Sequence, residues 1–513
     1  MLSLLEPNLR EAFKLHTHRV ALNLEGQAFT YGELWSRVTT IASHIGPMEL
    51  NIKIIVVAEN HLDTYASILA VLLLGGTYIP LSPKHPLERN RSIIKQVKAL
   101  FILCATEAGC PTALEVETHI SSHWAEGVHL TPITEAGNAI PLDSLFPNAI
   151  PSETEAYILF TSGSTGVPKG VPIPRSALMA FFTGAQELVP LQGEHRVLQM
   201  FDLTFDLSVV STLHPLLHGA TVCVPKHGRI RSMDVLKTLM EQKVTHALMV
   251  PSILVGLQSF FSQIQLPDLL VSQFCGEALP AELCRLWAKC IPNAVIQNVY
   301  GPTEATIYCM VYHCNSQPLK ERNGVVCLGK PFGKTTVMIE PCSSTIKTEA
   351  TQPLQQGQLC LQGPQLSKGY YANIEQTRRA FFRSPTGVVS YRTGDLVELD
   401  EFGDFFYRGR LDQQVQIQGY RVELGEIEEA ARQCGANLAV ASFIEESSGG
   451  KLLLYIDLSL DPKELEGRLG RLLPSYMLPQ KIFSLAQFPL NANGKIDRKA
   501  LLETPFQTPA KSR

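Results

Sequence analysis

The sequence predicts an α/β protein. It has a large N-terminal region of parallel sheets flanked by helices, a smaller antiparallel part, and a small α+β unit at the C-terminal end. Short β-branched segments alternate with stretches of helical periodicity, which predicts parallel strands covered by helices on both faces. Between Gly324 and Phe406 strands become short, helices scarce and turn residues frequent, which predicts the antiparallel part. A helical pattern at Leu424–Cys434, stopped by Gly435, marks the last unit, which begins near Leu411.

In chain order, Asn51–Val57 reads as a strand that feeds a helix around Tyr65–Leu74. The uncharged run Thr64–Pro83 has the length of a membrane span, yet Gly75, Gly76 and Pro80 break its second half. A buried helix, a turn and a strand are expected there, with no span. Thr221–Val224 and Ala247–Val250 read as further strands, near a helical pattern at Ser232–Gln242. Cys342–Gly357 is polar and reads as a surface loop; the tail from Thr504 reads as mobile.

Composition excludes several function classes. Hydrophobic residues are 45% and charged residues 18% of the 513, an ordinary globular balance. Lys plus Arg is 44 and Asp plus Glu is 48, so the net charge of −4 offers no basic footprint for nucleic acid. Anionic ligands must be held by local devices. The 12 cysteines contain no C-x-x-C pair, and Glu6 and Arg10 interrupt any leader-like start, so reduced thiols and a cytoplasmic location are expected.

The sharpest local signal is Tyr157-Ile-Leu-Phe-Thr-Ser-Gly-Ser-Thr-Gly-Val-Pro-Lys-Gly170. An apolar strand runs into glycines and hydroxyls and ends in a cation. Glycines let backbone N–H groups converge on one point, and such a nest binds phosphate. Thr161, Ser162, Ser164 and Thr165 add donors beside Gly163 and Gly166, and Lys169 adds charge. Val167 and Pro168 separate Gly166 from Lys169, so this is not a Walker A loop. The alternative is a flexible Gly/Ser turn.

With this loop come Thr30-Tyr-Gly-Glu-Leu34, Gly75-Gly-Thr-Tyr-Ile-Pro80, Asn298-Val-Tyr-Gly-Pro-Thr-Glu304 and Tyr391-Arg-Thr-Gly-Asp395. Gly409-Arg-Leu-Asp-Gln-Gln-Val415, the Gly419–Glu428 segment and Asn493-Gly-Lys-Ile-Asp-Arg498 follow. In these motifs and their order the chain resembles the adenylate-forming superfamily: acyl-CoA synthetases, luciferases and adenylation domains of nonribosomal peptide synthetases. The resemblance implies a large core at 1–410 with a barrel-like antiparallel subdomain, a small mobile lid at 411–503, and a tail at 504–513.

The resemblance also implies roles. ATP is bound by the phosphate loop and by Asn298, Tyr300, Gly301 and Thr303, with Asn298 at the adenine amine and Tyr300 stacked on the base. Glu304 holds Mg2+, as one carboxylate supplemented by phosphates and water can. Asp395 accepts both ribose hydroxyls. Arg410 meets ribose or phosphate oxygens, and Asp412 is the hinge between domains. Lys495, with Thr161 and Lys169, serves the adenylation step by placing positive charge where negative charge develops.

Asp206, in Phe205-Asp-Leu-Ser-Val209, matches the aspartate that binds the substrate ammonium in amino-acid-activating members. Leu207, Val210, Leu248, Gln273, Cys275, Val299, Ile307 and Tyr308 match the surrounding side-chain pocket. This lining is mainly apolar and carries no charge opposite Asp206, and Tyr308 is bulky, so a small uncharged amino acid is expected, alanine first. Phe205–Val209 and Phe274–Pro280 resemble D-alanine:carrier-protein ligases, in which the equivalent of Cys275 helps select the enantiomer. Gln358 stands where the family usually has Glu, and Gln416 and Gln418 where it has a basic pair; the residue at 416 assists thioester formation in relatives.

The expected reaction joins the amino-acid carboxylate to the α-phosphorus of ATP, releases pyrophosphate, and passes the acyl group to a phosphopantetheine thiol. No carrier signature follows Arg498, so a separate carrier protein is the expected partner. Two alternatives stand beside this: an acyl-CoA synthetase, which would not need Asp206, and a catalytically silent nucleotide- or amino-acid-binding regulator.

Overall fold

The computed structural model describes residues 1–99, 101–105, 129–132, 145–163, 166–226, 228–316, 318–341, 355–384, 387–444, 450–490 and 496–503. The chain divides into two compact units. The first holds Met1–Lys84, Asn90–Thr161 and Lys169–Asp412; the second holds His85–Arg89, Ser162–Pro168 and Gln413–Arg513.

Two large sheets organise the first unit. In one, Val20–Leu24, Thr221–Val224, Arg196–Leu198, His246–Met249, Val271–Phe274 and Val295–Tyr300 lie side by side and parallel, with antiparallel strands only at the two edges. In the other, the parallel strands Phe101–Cys104, Lys53–Val57, Thr77–Leu81 and Glu155–Thr161 end in the antiparallel return Lys169–Pro174. The uncharged run forms the buried helix Leu62–Leu73 and the fully buried strand Thr77–Leu81. A run with apolar residues on every face suits an element enclosed on all sides. Among the described residues no helix is long and apolar enough to cross a membrane.

The antiparallel part is a five-stranded sheet of Thr336–Glu340, Gln355–Gln362, Val389–Leu399, Phe381–Arg383 and Phe405–Arg410. One expectation needs correction. Residues 342–354 of the expected polar loop lie outside the described residues, but Gln355–Gly357 opens the strand Gln355–Gln362, paired on both sides. Its glutamines misled because their amides find partners: Gln356 donates to Glu398 and Gln358 to Glu340, both at 3.0 Å. Alternate positions Gly357, Leu359 and Leu361 are buried. The tail from Thr504 lies outside the described residues.

In the second unit the hairpin Gln414–Ile417 and Tyr420–Glu423 leads into the helix Leu424–Gln433. A three-stranded sheet of Ala439–Ile444, Lys451–Ile456 and Lys481–Ser484 packs with that helix around Ile427, Leu452, Leu454 and Leu465.

Candidate active site

In open parallel sheets ligand-binding residues gather beyond the carboxyl ends of the strands. The expected residues follow this rule. Thr161 ends one strand, Cys275 follows Val271–Phe274, and Tyr300 ends Val295–Tyr300.

After Tyr300 the chain folds back sharply. A Cβ on Gly301 would lie 2.3 Å from Tyr308 Cα, so only glycine admits this approach. Thr306 and Ile307 both adopt positive φ, at 56° and 77°. Two successive β-branched residues in that region store roughly 1–3 kcal/mol each. Gln365 holds the turn: its carbonyl accepts from Thr306 Oγ1 at 2.5 Å, and its amide donates to Tyr308 O at 3.1 Å. Ile307 and Tyr308 are thereby fixed in the core.

Asp206 opens the helix Asp206–Leu217, where the helix N-terminus favours a carboxylate. Thr303 Oγ1 donates to Asp206 Oδ2 at 2.7 Å. Thr303, which the resemblance places on the nucleotide side, thus also touches the residue expected at the substrate ammonium. Burial, with the Asp206 carboxylate a lesser cause, pushes the Cys275 thiol well above its usual range, so it is a neutral packing group here.

Glu304 is fully buried and accepts from the Tyr370 hydroxyl at 2.7 Å. Lys169 Nζ lies 5.6 Å from the centre of the Tyr370 ring, a cation–π distance. The structure thus joins the two expected phosphate-side residues through a tyrosine that no motif singled out. Its hydrogen bond spans 66 positions, a separation a single sequence does not betray.

Asp395 and Arg410 pair directly across two strands of the five-stranded sheet, Arg410 Nη1 donating to Asp395 Oδ1 at 2.5 Å. The Tyr300 hydroxyl donates to the other oxygen, Oδ2. Burial and then Asp395 push that hydroxyl far above its usual pKa, so it remains a donor. Arg410 also clamps Asp412, Nε to Oδ1 at 2.7 Å and Nη2 to Oδ2 at 2.9 Å. Asn298 donates from Nδ2 to Cys327 O at 2.9 Å.

The phosphate loop is described in part. Thr161 and Lys169 face each other in the ladder, with Thr161 Oγ1 3.5 Å from Lys169 O. Ser162 and Gly163, in the second unit, are engaged by its helix and hairpin. Ser162 Oγ donates to Arg421 O at 2.7 Å, and Gly163 N–H donates to Glu426 Oε2 at 3.2 Å. Glu426 Oε1 takes Arg89 at 2.6 Å. Gly166 turns at φ 78°. Ser164, Thr165 and Lys495 lie outside the described residues.

Val210, Leu248, Gln273 and Tyr308, four of the matched pocket positions, line one cavity together with Ser211 and His214. Leu207, Cys275 and Val299 are buried. Gln273 donates to Gln297 Oε1 at 2.8 Å, and Tyr308 meets the edge of Phe181 with ring centres 4.9 Å apart. Ser211 and His214 were missed, although the signal was present: Leu207, Val210, Ser211 and His214 repeat at the spacing of one helix face.

A model of the family described as AMP-binding enzyme matches residues 9–371. Gramicidin S synthase 2 of Brevibacillus brevis is 30% identical over 502 residues, which are 96% of this chain and 11% of that protein. The chain thus spans about a tenth of the length of the curated relatives it matches. The Vibrio cholerae adenylation domain AlmE, solved with glycyl-adenosine-5'-phosphate, superposes with a TM-score of 0.83 at 25% identity, covering 98% of each chain. PA1221, a nonribosomal peptide synthetase protein containing adenylation and carrier (PCP) domains, superposes with a TM-score of 0.82 at 23% identity, covering 98% of this chain and 84% of that one. The parallel sheets, the site residues beyond their carboxyl ends and the family match agree: the chain belongs to the AMP-binding enzymes of the adenylate-forming superfamily.

Proposed function

We propose that this chain activates a small amino acid with ATP as the aminoacyl adenylate and transfers it to the phosphopantetheine thiol of a separate carrier protein. The observation that carries this reading is the half-buried Asp206, braced by Thr303 at the start of the helix whose next turn, at Val210, lines the cavity that holds four matched pocket positions. A carboxylate so placed suits a substrate ammonium, with which it can form a charge-assisted hydrogen bond. A fatty-acid or aryl-acid activator has no use for it. AlmE, solved with a glycyl adenylate, is a structural relative whose amino acid is also small.

The carboxylate of the amino acid attacks the α-phosphorus, pyrophosphate leaves, and a thiol then displaces AMP. In this reading Asp206 orients the ammonium and Thr303 orients Asp206. Asn298, Tyr300 and Gly301 receive the base, Asp395 and Arg410 the ribose, and the phosphate loop with Lys169 the phosphates. Asp412 is the hinge. Lys495 brings positive charge to the reacting oxygens. Each Asp395 oxygen has a second lone pair, so the carboxylate can accept ribose hydroxyls beside its bonds with Tyr300 and Arg410.

Glu304 fits one ligand position of Mg2+, which prefers carboxylate oxygen and keeps water and phosphate for its other positions. Among the described residues no three His, Cys, Asp or Glu side chains form a metal site, which accords with a cation whose remaining ligands come from the nucleotide. Bound there, Mg2+ would offset phosphate charge.

In this reading the side chain is small and uncharged, with alanine favoured: the bulky Tyr308 lines the cavity, and no Asp, Glu, Lys or Arg is among its lining residues. Gln416 and Gln418 replace the family's basic pair, which weakens the thiol step more than the first. The test is amino-acid-dependent exchange of pyrophosphate into ATP, followed by comparison of holo-carrier with coenzyme A as acceptor. Exchange with an amino acid but not with its deaminated acid supports the reading. Activity only with a simple carboxylic acid and coenzyme A makes the chain an acyl-CoA synthetase, and nucleotide binding without exchange makes it a silent regulator.

A further inference from the structure

The cavity beside Val210 and Tyr308 has a polar end that no motif assigns. Ser211 is 2% exposed, lines this cavity, and its Oγ finds no hydrogen-bond partner among the described residues. A buried hydroxyl without a partner is destabilising, so the site favours something that bonds to it. The cavity leaves about 30 Å3, enough for more than one water-sized group.

His214, one turn further along the same helix, is locked in one form. Gln186 donates to Leu191 O at 3.1 Å and accepts Leu191 N–H at 3.0 Å, which fixes which end of its amide is oxygen. That same oxygen lies 3.1 Å from His214 Nε2, so Nε2 carries the hydrogen. Phe182 stacks on the ring at 5.6 Å. No Asp, Glu, Lys or Arg is among the cavity's lining residues, so a charged group entering it would be buried unpaired.

We propose that Ser211 is a specificity-determining residue for side chains longer than a methyl group. Its hydroxyl meets an uncharged hydrogen-bonding tip that reaches past Val210, so polar side chains are accepted over apolar ones of the same shape. This rests on the amino-acid-activating reading above. Alanine does not reach Ser211, and water fills the polar end beside it. A side chain with a hydroxyl or carboxamide displaces that water and replaces its bond, whereas an apolar isostere displaces the water and strands the hydroxyl. Discrimination against a missing hydrogen-bonding group is the strong kind.

The test is pyrophosphate exchange with threonine against valine and asparagine against leucine, in wild type, Ser211→Ala and Ser211→Cys, with alanine as the reference in each. Wild type is expected to favour the polar member of a pair about tenfold or more in kcat/KM. Ser211→Ala is expected to bring that ratio to within about threefold of one, each rate being taken relative to alanine in the same variant. Should Ser211→Ala be too poorly folded to exchange alanine, Ser211→Cys, of nearly the same shape but a weak donor, is expected to lose the ratio. Alanine exchange with a wild-type ratio near one, or a ratio that survives both substitutions, overturns the proposal. Wild type that exchanges no amino acid at all overturns the reading on which it rests.

Discussion

Thr303 and Asp206 are 97 residues apart in the chain and joined by a 2.7 Å hydrogen bond, from hydroxyl to carboxylate. The bond ties the turn after Val295–Tyr300 to the first residue of Asp206–Leu217. It fixes the carboxylate that, in the proposed reading, meets a substrate ammonium. Asp206→Ala should raise the amino-acid KM tenfold or more and leave ATP affinity nearly intact, since a charge-assisted contact contributes roughly 1.5–3 kcal/mol. Thr303→Val should act in the same direction and more weakly. Steady-state kinetics in each substrate check both; a Thr303→Val effect confined to ATP would assign Thr303 to the nucleotide.

Much of this arrangement was legible in the sequence, in the ordered motifs and the alternation of strand and helix. Asp206, Glu304 and Asp395 could be named because their neighbours in sequence carry their signature. What stayed hidden depends on distant pairings. Nothing near Tyr370 signals that its hydroxyl meets Glu304, and nothing near Gln355 signals that glutamine amides will be satisfied inside a sheet. Ser211 and His214 lie one step along a helical face already in view, at positions outside the set that the family resemblance supplies.

Lys495→Ala should reduce adenylate formation about a hundredfold, on the order of 3 kcal/mol, with little change in ATP binding. The expectation follows from its place in the terminal Asn493–Arg498 motif. Pyrophosphate exchange and nucleotide titration separate the two effects. Exchange within twofold or threefold of wild type removes Lys495 from the catalytic set.

Tyr308→Ala should widen the accepted size range, raising exchange with side chains larger than alanine's relative to alanine itself. Tyr308 lines the cavity and is held by Phe181 and Phe332 at 4.9 and 5.6 Å. Removing a ring from a packed core costs about 3–5 kcal/mol, so the melting temperature should fall as well. An unchanged size profile in a folded variant would show that Tyr308 does not limit the substrate.

Acid should destabilise the first unit. His214 and His246 are both pushed down to about 3, chiefly by burial; His218 and His246 add to the effect at His214, and His195 adds at His246. Below the ordinary value of 6.5 the unfolded chain takes up protons that these folded histidines refuse, so stability falls as pH drops from 6.5 toward 3. Each contributes about 1 kcal/mol per pH unit. In urea titrations at pH 7 and pH 5, His214→Asn should lose about 2 kcal/mol less stability across that interval than wild type. Equal losses in the two proteins would mean that His214 titrates normally.

The measurement that bears most directly on the account is pyrophosphate exchange by the wild-type chain across L- and D-amino acids, with propionate beside alanine. Exchange should be highest with alanine, lower with glycine and serine, and at least tenfold lower with propionate, which lacks the ammonium that Asp206 would hold. Equal exchange with alanine and propionate, or a preference for a charged or aromatic amino acid, would contradict it.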